Sequence, residues 1–363
     1  MSTPDLSYAP PAPARSKVFF GPFGLRAGWS ALIYIPLAII FAIILIVTAL
    51  GIAGKLPGVI HDIQHPAKFT TPQPNPDVLS HDVFIGETLD FSGLALAALV
   101  LSRIERRRFS VYGIGLNRLA DFLPGAFWGL ALLSLLIAIL RATHHLVFDA
   151  QVLHGAAIYI FGFRWLLAFI SVGLFEEFLN RGFLQFTLTR GVYGLAEKIS
   201  RTHARAVAFT IAAFFMSLFF SAGHLLNARE NPMGIALTFV AAILFSYALW
   251  RTGSLWWAIG NHMAWDWAQS FLYGVPDSGQ ISAGRLFHTH PVGNPLLSGG
   301  IDGPEGSIYA IPILLLAILI VRVTTKPGPQ PPHEPTLDPT YEILPPPPPS
   351  PLSPPAPDLS PPA

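Results

Sequence analysis

The feature that most constrains this chain is a succession of eight apolar stretches, most of them long enough for a helix across a hydrocarbon layer about 30 Å thick. They run approximately from Trp29 to Ile52, Val83 to Leu101, Leu123 to Leu140 and Ile158 to Leu188. Four more follow, from Ala206 to Leu226, Met233 to Leu249, Leu255 to Leu272 and Ile308 to Val321, the last of them short. Only 12% of the residues are charged and the mean hydropathy is +0.51. A soluble domain carries about 25% charged residues, so the expected solvent is lipid. The expected fold is all-α: a polytopic membrane bundle of about eight transmembrane helices.

Lysine and arginine placement gives the orientation. Fifteen of them fall before the first stretch, after the eighth, or in the loops that follow the second, fourth and sixth. Five, namely Lys55, Lys68, Arg141, Arg229 and Arg285, fall in the opposite loops. The alternation holds across all eight stretches and predicts both termini on the cytoplasmic side. The first stretch is too long for the apolar region of a cleaved signal and has no convincing small-residue site behind it, so it reads as the first span. The single basic cluster, Arg106-Arg107-Arg108, abuts an apolar segment and belongs to this topology, which leaves no nucleic-acid signal. With no cysteine, disulfides, thiolate metal sites and cysteine nucleophiles are excluded.

Composition also divides the chain. Residues 1–25 and 326–363 read as disordered cytoplasmic tails, flanking a helical domain over 26–325. The second tail is dominated by proline, which lacks the amide donor needed for a packed core. It reads as a tether, with a binding partner as the alternative. The loops from Lys55 to His81 and from Gly274 to Gly306, rich in proline and histidine, read as spacers rather than as covers over a site.

Ionisable side chains inside apolar helices need a partner, a cavity or a function. Three groups stand out. The first is Phe175-Glu176-Glu177-Phe178-Leu179-Asn180-Arg181. Adjacent carboxylates lie about 100° apart on a helix, and Glu177 and Arg181 have the i,i+4 spacing of an ion pair. Arg181 can therefore neutralise Glu177 and leave Glu176 facing elsewhere, where an apolar setting suits a base acting on water. A structural ion pair at a helix end is the plain alternative. The second group is Phe220-Ser221-Ala222-Gly223-His224, with Phe220 one turn below the histidine. The third is His262-Met263-Ala264-Trp265-Asp266, in which His262 and Asp266 project to one side, while Asn261 and Trp265 read as packing or interfacial residues.

If these helices converge, they supply a base, a water-positioning histidine and a polar pair for a developing oxyanion. The same side chains, Glu176, His224, His262 and Asp266, are also the ligand types of a zinc hydrolase, so a metal site and a metal-free site both stay open. Counted from the cytoplasmic loops, His224 sits deeper than His262, a difference that a fifth helix starting near Thr202 would reduce.

The order Glu-Glu-x-x-x-Arg, Phe-x-x-x-His and His-x-x-x-Asn/Asp on successive apolar helices resembles the CPBP intramembrane proteases, also called the CAAX-protease and bacteriocin-processing, or Abi, family. Here the motifs stand as Glu176-Glu177…Arg181, Phe220…His224 and His262…Asp266, and Thr252-Gly253-Ser254-Leu255-Trp256 looks like the lead-in to the third. The resemblance covers about residues 158–272. It implies that Glu176 activates water with help from His224, that His262 and Asp266 stabilise the oxyanion, and that Glu177 and Arg181 support the site. The family has been described both as zinc-dependent and as glutamate-type. Asp266 stands where asparagine is common; a carboxylate donates a hydrogen bond only when protonated, which favours orienting His262 or binding metal over a direct oxyanion contact.

The expectation is an endopeptidase of a bacterial inner membrane, surrounded by lipid and cleaving a membrane-associated peptide or protein. A non-catalytic scaffold or immunity protein of the same fold is the first alternative, although a scaffold has no reason to bury an acid and two histidines. A proton- or ion-coupled transporter is the second, although no internal repeat or pair of broken helices is visible.

Overall fold

A computed structural model of the chain describes residues 18–21, 24–64, 77–227 and 229–328. The two tails expected at the ends lie largely outside the described residues. The elements in order are β1 (Phe20–Gly21) and β2 (Gly24–Leu25), α1 (Ala27–Ile52), α2 (Leu56–Gln64), α3 (Ser80–Ile104), α4 (Phe122–Ala142) and β3 (Leu146–Gln151). Then come α5 (Ala156–Glu177), α6 (Gln185–Ile199), α7 (Ala204–Gly223), α8 (Pro232–Thr252) and α9 (Trp256–Trp267). The last are β4 (Phe287–Pro291), α10 (Pro295–Ser298) and α11 (Ala310–Thr324).

Six helical segments are long and apolar enough to cross a membrane: Ala27–Ile52, Ser80–Ile104, Phe109–Ala142, Ala156–Ile199, Ala204–Leu226 and Pro232–Thr252. The remaining two apolar stretches form shorter helices. One is α9 with the π-helical turn Ala268–Leu272 that continues it, and the other is α11. The protein is a multi-pass, mostly helical membrane protein whose eight apolar stretches all form helix.

The distribution of side chains supports lipid as the solvent. Ile39, Ile40, Ile43 and Ile44 of α1 and Phe214, Phe215 and Phe219 of α7 are exposed. Ser30, Glu105, Arg107, Arg181, Gln185 and Gln269 are buried. An apolar outside around a polar inside has its driving force in hydrocarbon, where polar groups must find one another.

Small residues set the helix crossings. Gly125 and Gly129 of α4 face α9 so closely that a Cβ on them would meet the carbonyl oxygens of Trp257 at 2.1 Å and Asn261 at 2.2 Å. Gly260 returns the contact, with the carbonyl oxygen of Phe122 at 2.2 Å from the same added atom. This crossing fixes the helix that carries the third polar motif. The neighbouring α8 begins where Asn231 accepts from the amides of Met233 and Gly234 (2.8 and 2.9 Å), with Pro232 next in sequence, and it stops at Gly253, whose φ is +67°. These are the ordinary start and stop signals of a helix.

Two features depart from the sequence expectation. The fourth stretch does not end at Leu188: it passes through a π-helical turn, Phe178–Leu184, and continues as α6 to Ile199. Hydropathy falls there because α6 buries polar side chains, among them Arg190, which meets Glu105 at 2.7 Å. Glu105 also pairs with Arg107 at 2.9 Å and accepts from Ser30, tying α1, the end of α3 and α6 together. The segment from Gly274 to Gly306 is likewise more than a spacer. Its strand β4 pairs antiparallel with β3, running from Leu146↔Pro291 to Gln151↔Phe287. The indole of Trp165 donates to the carbonyl of Ala283 at 2.9 Å, pinning the segment to α5.

Candidate active site

The three polar motifs meet on one cavity of about 480 Å³, bordered by Glu176, Asn180, His224, Asn261, His262 and Asp266. Its walls are apolar, with Phe175, Leu179, Phe219 and Phe245 among them, and its cover includes Asp277, Ser278 and Glu305 from the segment after α9.

Glu176 and Glu177 end α5, and their separation around the helix gives them different surroundings. The Glu177 side chain is 0% exposed, while that of Glu176 is 27% exposed and borders the cavity. Glu177 Oε1 accepts from Arg181 Nη1 at 3.1 Å, one turn on, and from His262 Nδ1 at 3.1 Å. The guanidinium of Arg181 lies over the Phe220 ring at 4.3 Å, an added attraction for a buried cation. Phe220 therefore does more than pack: its ring seats Arg181 and its carbonyl oxygen lies 3.0 Å from His224 Nδ1. A carbonyl only accepts, so that bond places the His224 proton on Nδ1 and leaves Nε2 as an acceptor.

His262 is held from several sides. With Nδ1 on Glu177, its Nε2 lies 3.6 Å from Glu176 Oε2 and 3.4 Å from Asp266 Oδ2. The Phe245 ring stacks on the imidazole at 5.4 Å between centroids. Asp266 therefore sits where it can orient His262. His224 borders the same cavity, because α7 starts at Ala204 within the expected loop, but it makes no hydrogen bond or ion pair with Glu176, His262 or Asp266 among the described residues.

Several contributors were not singled out from the sequence. Asn180 is buried, donates to the Glu176 carbonyl at 2.9 Å and borders the cavity. Asn261, expected to be a packing or interfacial residue, is buried at the α4 crossing, donates to the Gly125 carbonyl at 3.4 Å and also borders the cavity. Glu87 arrives from α3, and Asp277 and Glu305 from the covering segment. Asp277 accepts from Ser270 at 2.9 Å, and burial pushes its carboxyl up to about 6. Glu305 accepts from the Ser278 amide at 2.6 Å and from Gln269, and burial holds it well above the usual carboxylate range.

Residues 159–268 match the family model described as Type II CAAX prenyl endopeptidase Rce1-like. Over this stretch the chain is similar to an Rce1-like domain. No curated protein and no solved structure gives a significant match. The matched stretch carries all three polar motifs, from Glu176 on α5 to Asp266 on α9, and the family model it matches is described as one of endopeptidases. Glu87 and the covering segment lie outside the matched residues.

Zinc, raised by these donor types, can be compared with their placement. Among the described residues no three His, Asp or Glu side chains are grouped so as to hold a metal ion. The reason is visible at His262, whose Nδ1 is taken by Glu177 and whose Nε2 is shared between Glu176 and Asp266. Of these contacts the one to Glu177 is a hydrogen bond, and the two at Nε2 are ion-pair distances.

Proposed function

We infer that the protein is an intramembrane endopeptidase in which Glu176 activates water. The observation that carries this reading is the contrast between the paired glutamates. Glu177 is buried and occupied by Arg181 and His262, while Glu176 faces the cavity with an oxygen near His262.

In the proposed reaction Glu176 takes a proton from water as the water oxygen bonds to the scissile carbonyl carbon. His224, with Nε2 free to accept, helps position that water. The oxyanion that forms is met by the Nε2–H of His262 as an imidazolium, whose Nδ1–H is held by Glu177 and whose ring Asp266 orients. Collapse of the tetrahedral intermediate breaks the C–N bond, and the proton on Glu176 passes to the leaving nitrogen. Carboxylate and amine are the products. A proton-transfer residue of this kind contributes about 10²–10⁴-fold.

The apolar walls and lipid-exposed exterior support a membrane-associated peptide or protein as substrate. The lysine and arginine balance of the loops supports both termini on the cytoplasmic side of the membrane. Cleavage of a membrane-anchored reporter peptide by purified protein in liposomes tests the reading. Glu176→Ala is expected to lower the rate by about 10²–10⁴-fold, and unchanged cleavage overturns it. Metal analysis of the active preparation tests the glutamate-type mechanism. Near-stoichiometric zinc that is lost in His262→Ala would replace it with a metal-dependent one.

A further inference from the structure

Water can reach a peptide carbonyl carbon only where the substrate chain is drawn out of any helix, which leaves its N–H and C=O groups without their usual partners. The cavity walls are largely apolar, and an amide left unpaired in such surroundings costs about 1–3 kcal/mol. Side chains on the border that can hydrogen-bond the chain therefore have a task that the proposed reaction does not assign.

Three asparagines border the cavity: Asn180, Asn227 and Asn261. Asn180 donates to the Glu176 carbonyl within its own helix, and its oxygen is shut in by the protein. Asn261 donates to the Gly125 carbonyl across the α4 crossing. Asn227 is placed and held differently. It follows the 3₁₀ turn His224–Leu226 that ends α7, and its backbone amide donates to the His224 carbonyl at 2.9 Å. Its Nδ2 donates to Glu230 Oε2 at 2.9 Å, three residues on. A carboxylate only accepts, so this bond fixes which way round the carboxamide lies and turns Oδ1 away from Glu230. Burial raises the Glu230 carboxyl, while the nearby His224 and the Asn227 bond act in favour of the carboxylate. Among the described residues Asn227 Oδ1 has no donor, and it is not one of the buried oxygens left unpaired. It is half-buried at the cavity border, next in the chain to the turn that carries His224.

Resting on the endopeptidase reading, we propose that Asn227 binds the substrate backbone, its Oδ1 accepting from an amide N–H of the extended chain beside the scissile bond. Glu230 is a positioning residue that acts through Asn227, by holding the acceptor outward. The contact reads the chain and not a side chain, so it demands an N–H at one place and is indifferent to the residue that supplies it.

The probes are lipid-anchored fluorescent peptides in which one backbone amide at a time, along the central stretch, is replaced by an ester, which removes the N–H and keeps the shape. Binding is measured by fluorescence polarisation in detergent micelles, on the full-length protein carrying Glu176→Ala so that no turnover intervenes. At one position the ester is expected to weaken binding about 3–10-fold. Asn227→Ala should weaken the all-amide probe by a similar factor and add no further loss for that ester, the signature of two changes that delete one contact. Asn227→Asp sets two carboxylates against each other and should bind worse still. Adding Glu230→Gln to it restores a donor opposite the new carboxylate and leaves an oxygen free to accept, so binding should return to within about threefold of the starting protein. Losses that add at every ester position overturn the proposal. So does a double variant that unfolds at the normal midpoint yet binds no better than Asn227→Ala, or an all-amide probe that does not bind. The endopeptidase reading has its own criterion, the loss of reporter cleavage in Glu176→Ala, so either can fail while the other stands.

Discussion

Gly129→Ala adds one carbon where α4 meets α9, and its effect can be worked from the structure. The new Cβ would lie 2.2 Å from the carbonyl oxygen of Asn261, whereas ordinary contact begins at 3.4 Å. The obstacle is backbone, which cannot rotate aside, so the helices must part by roughly 1 Å. A displacement of that order can lower a rate about 10²-fold when it moves a catalytic group. Here it acts on the residue before His262, whose Nδ1 bond to Glu177 is 3.1 Å long and does not survive such a stretch. Overpacking also destabilises by about 1–3 kcal/mol. Two measurements on purified protein check this: the thermal unfolding midpoint in detergent and the rate of reporter cleavage. Gly86→Ala on α3 is the control, since nothing lies within 4 Å of its added Cβ. A Gly129→Ala protein with unchanged midpoint and unchanged rate refutes the claim that this crossing positions His262.

Arg181→Ala takes the guanidinium from buried Glu177, leaving it only the imidazole of His262, and is expected to destabilise by about 3 kcal/mol. Denaturant titration in micelles checks this, and adding Glu177→Gln to the same protein should recover a measurable part of the loss. Glu105→Ala removes the shared partner of Arg107 and Arg190 and leaves two buried guanidiniums, so a loss of about 3 kcal/mol or more is expected in the same titration. The covering segment should loosen as pH rises. Asp277 and Asp302, raised from 3.8 to about 6 and about 7 mainly by burial, bind protons more tightly when folded. Stability is therefore highest below about pH 4 and falls as each group ionises through its folded value. Hydrogen exchange of residues 274–306, followed between pH 4 and 7.5 and corrected for intrinsic rates, should show protection decreasing with pH, and a constant protection would refute the assignment.

Much of the site could be anticipated because its determinants are local. The 100° step between Glu176 and Glu177 separates a residue facing the cavity from one facing the protein, and the i,i+4 spacing names Arg181 as the partner. The i,i+4 relation of His262 and Asp266 is local in the same sense. What escaped depends on contacts distant in sequence. Nothing near Glu87 says that α3 brings it to Glu176, and the pairing of Leu146–Gln151 with Phe287–Pro291 has no short-range signal. Hydropathy also misjudged the end of the fourth helix. It reads Arg190 as loop, although the partner that makes Arg190 tolerable in a buried helix face is Glu105, 85 positions earlier.

The π-helical turn at Phe178–Leu184 gives this site a phase as well as a position. Such a turn closes i→i+5 bonds and so contains one residue more than an α-helical turn. Were the 44-residue rod from Ala156 to Ile199 an uninterrupted α-helix of the same residues, the extra residue would advance the helix instead of being absorbed in the turn. Everything on one side of the turn would then lie rotated by about 100° against the other. With α6 clamped to Glu105 through Arg190, the free half is α5, and its two glutamates would swing away from their present directions. The difference between a carboxylate that faces the cavity and one that faces the protein is thus stored in a single supernumerary residue, downstream of both.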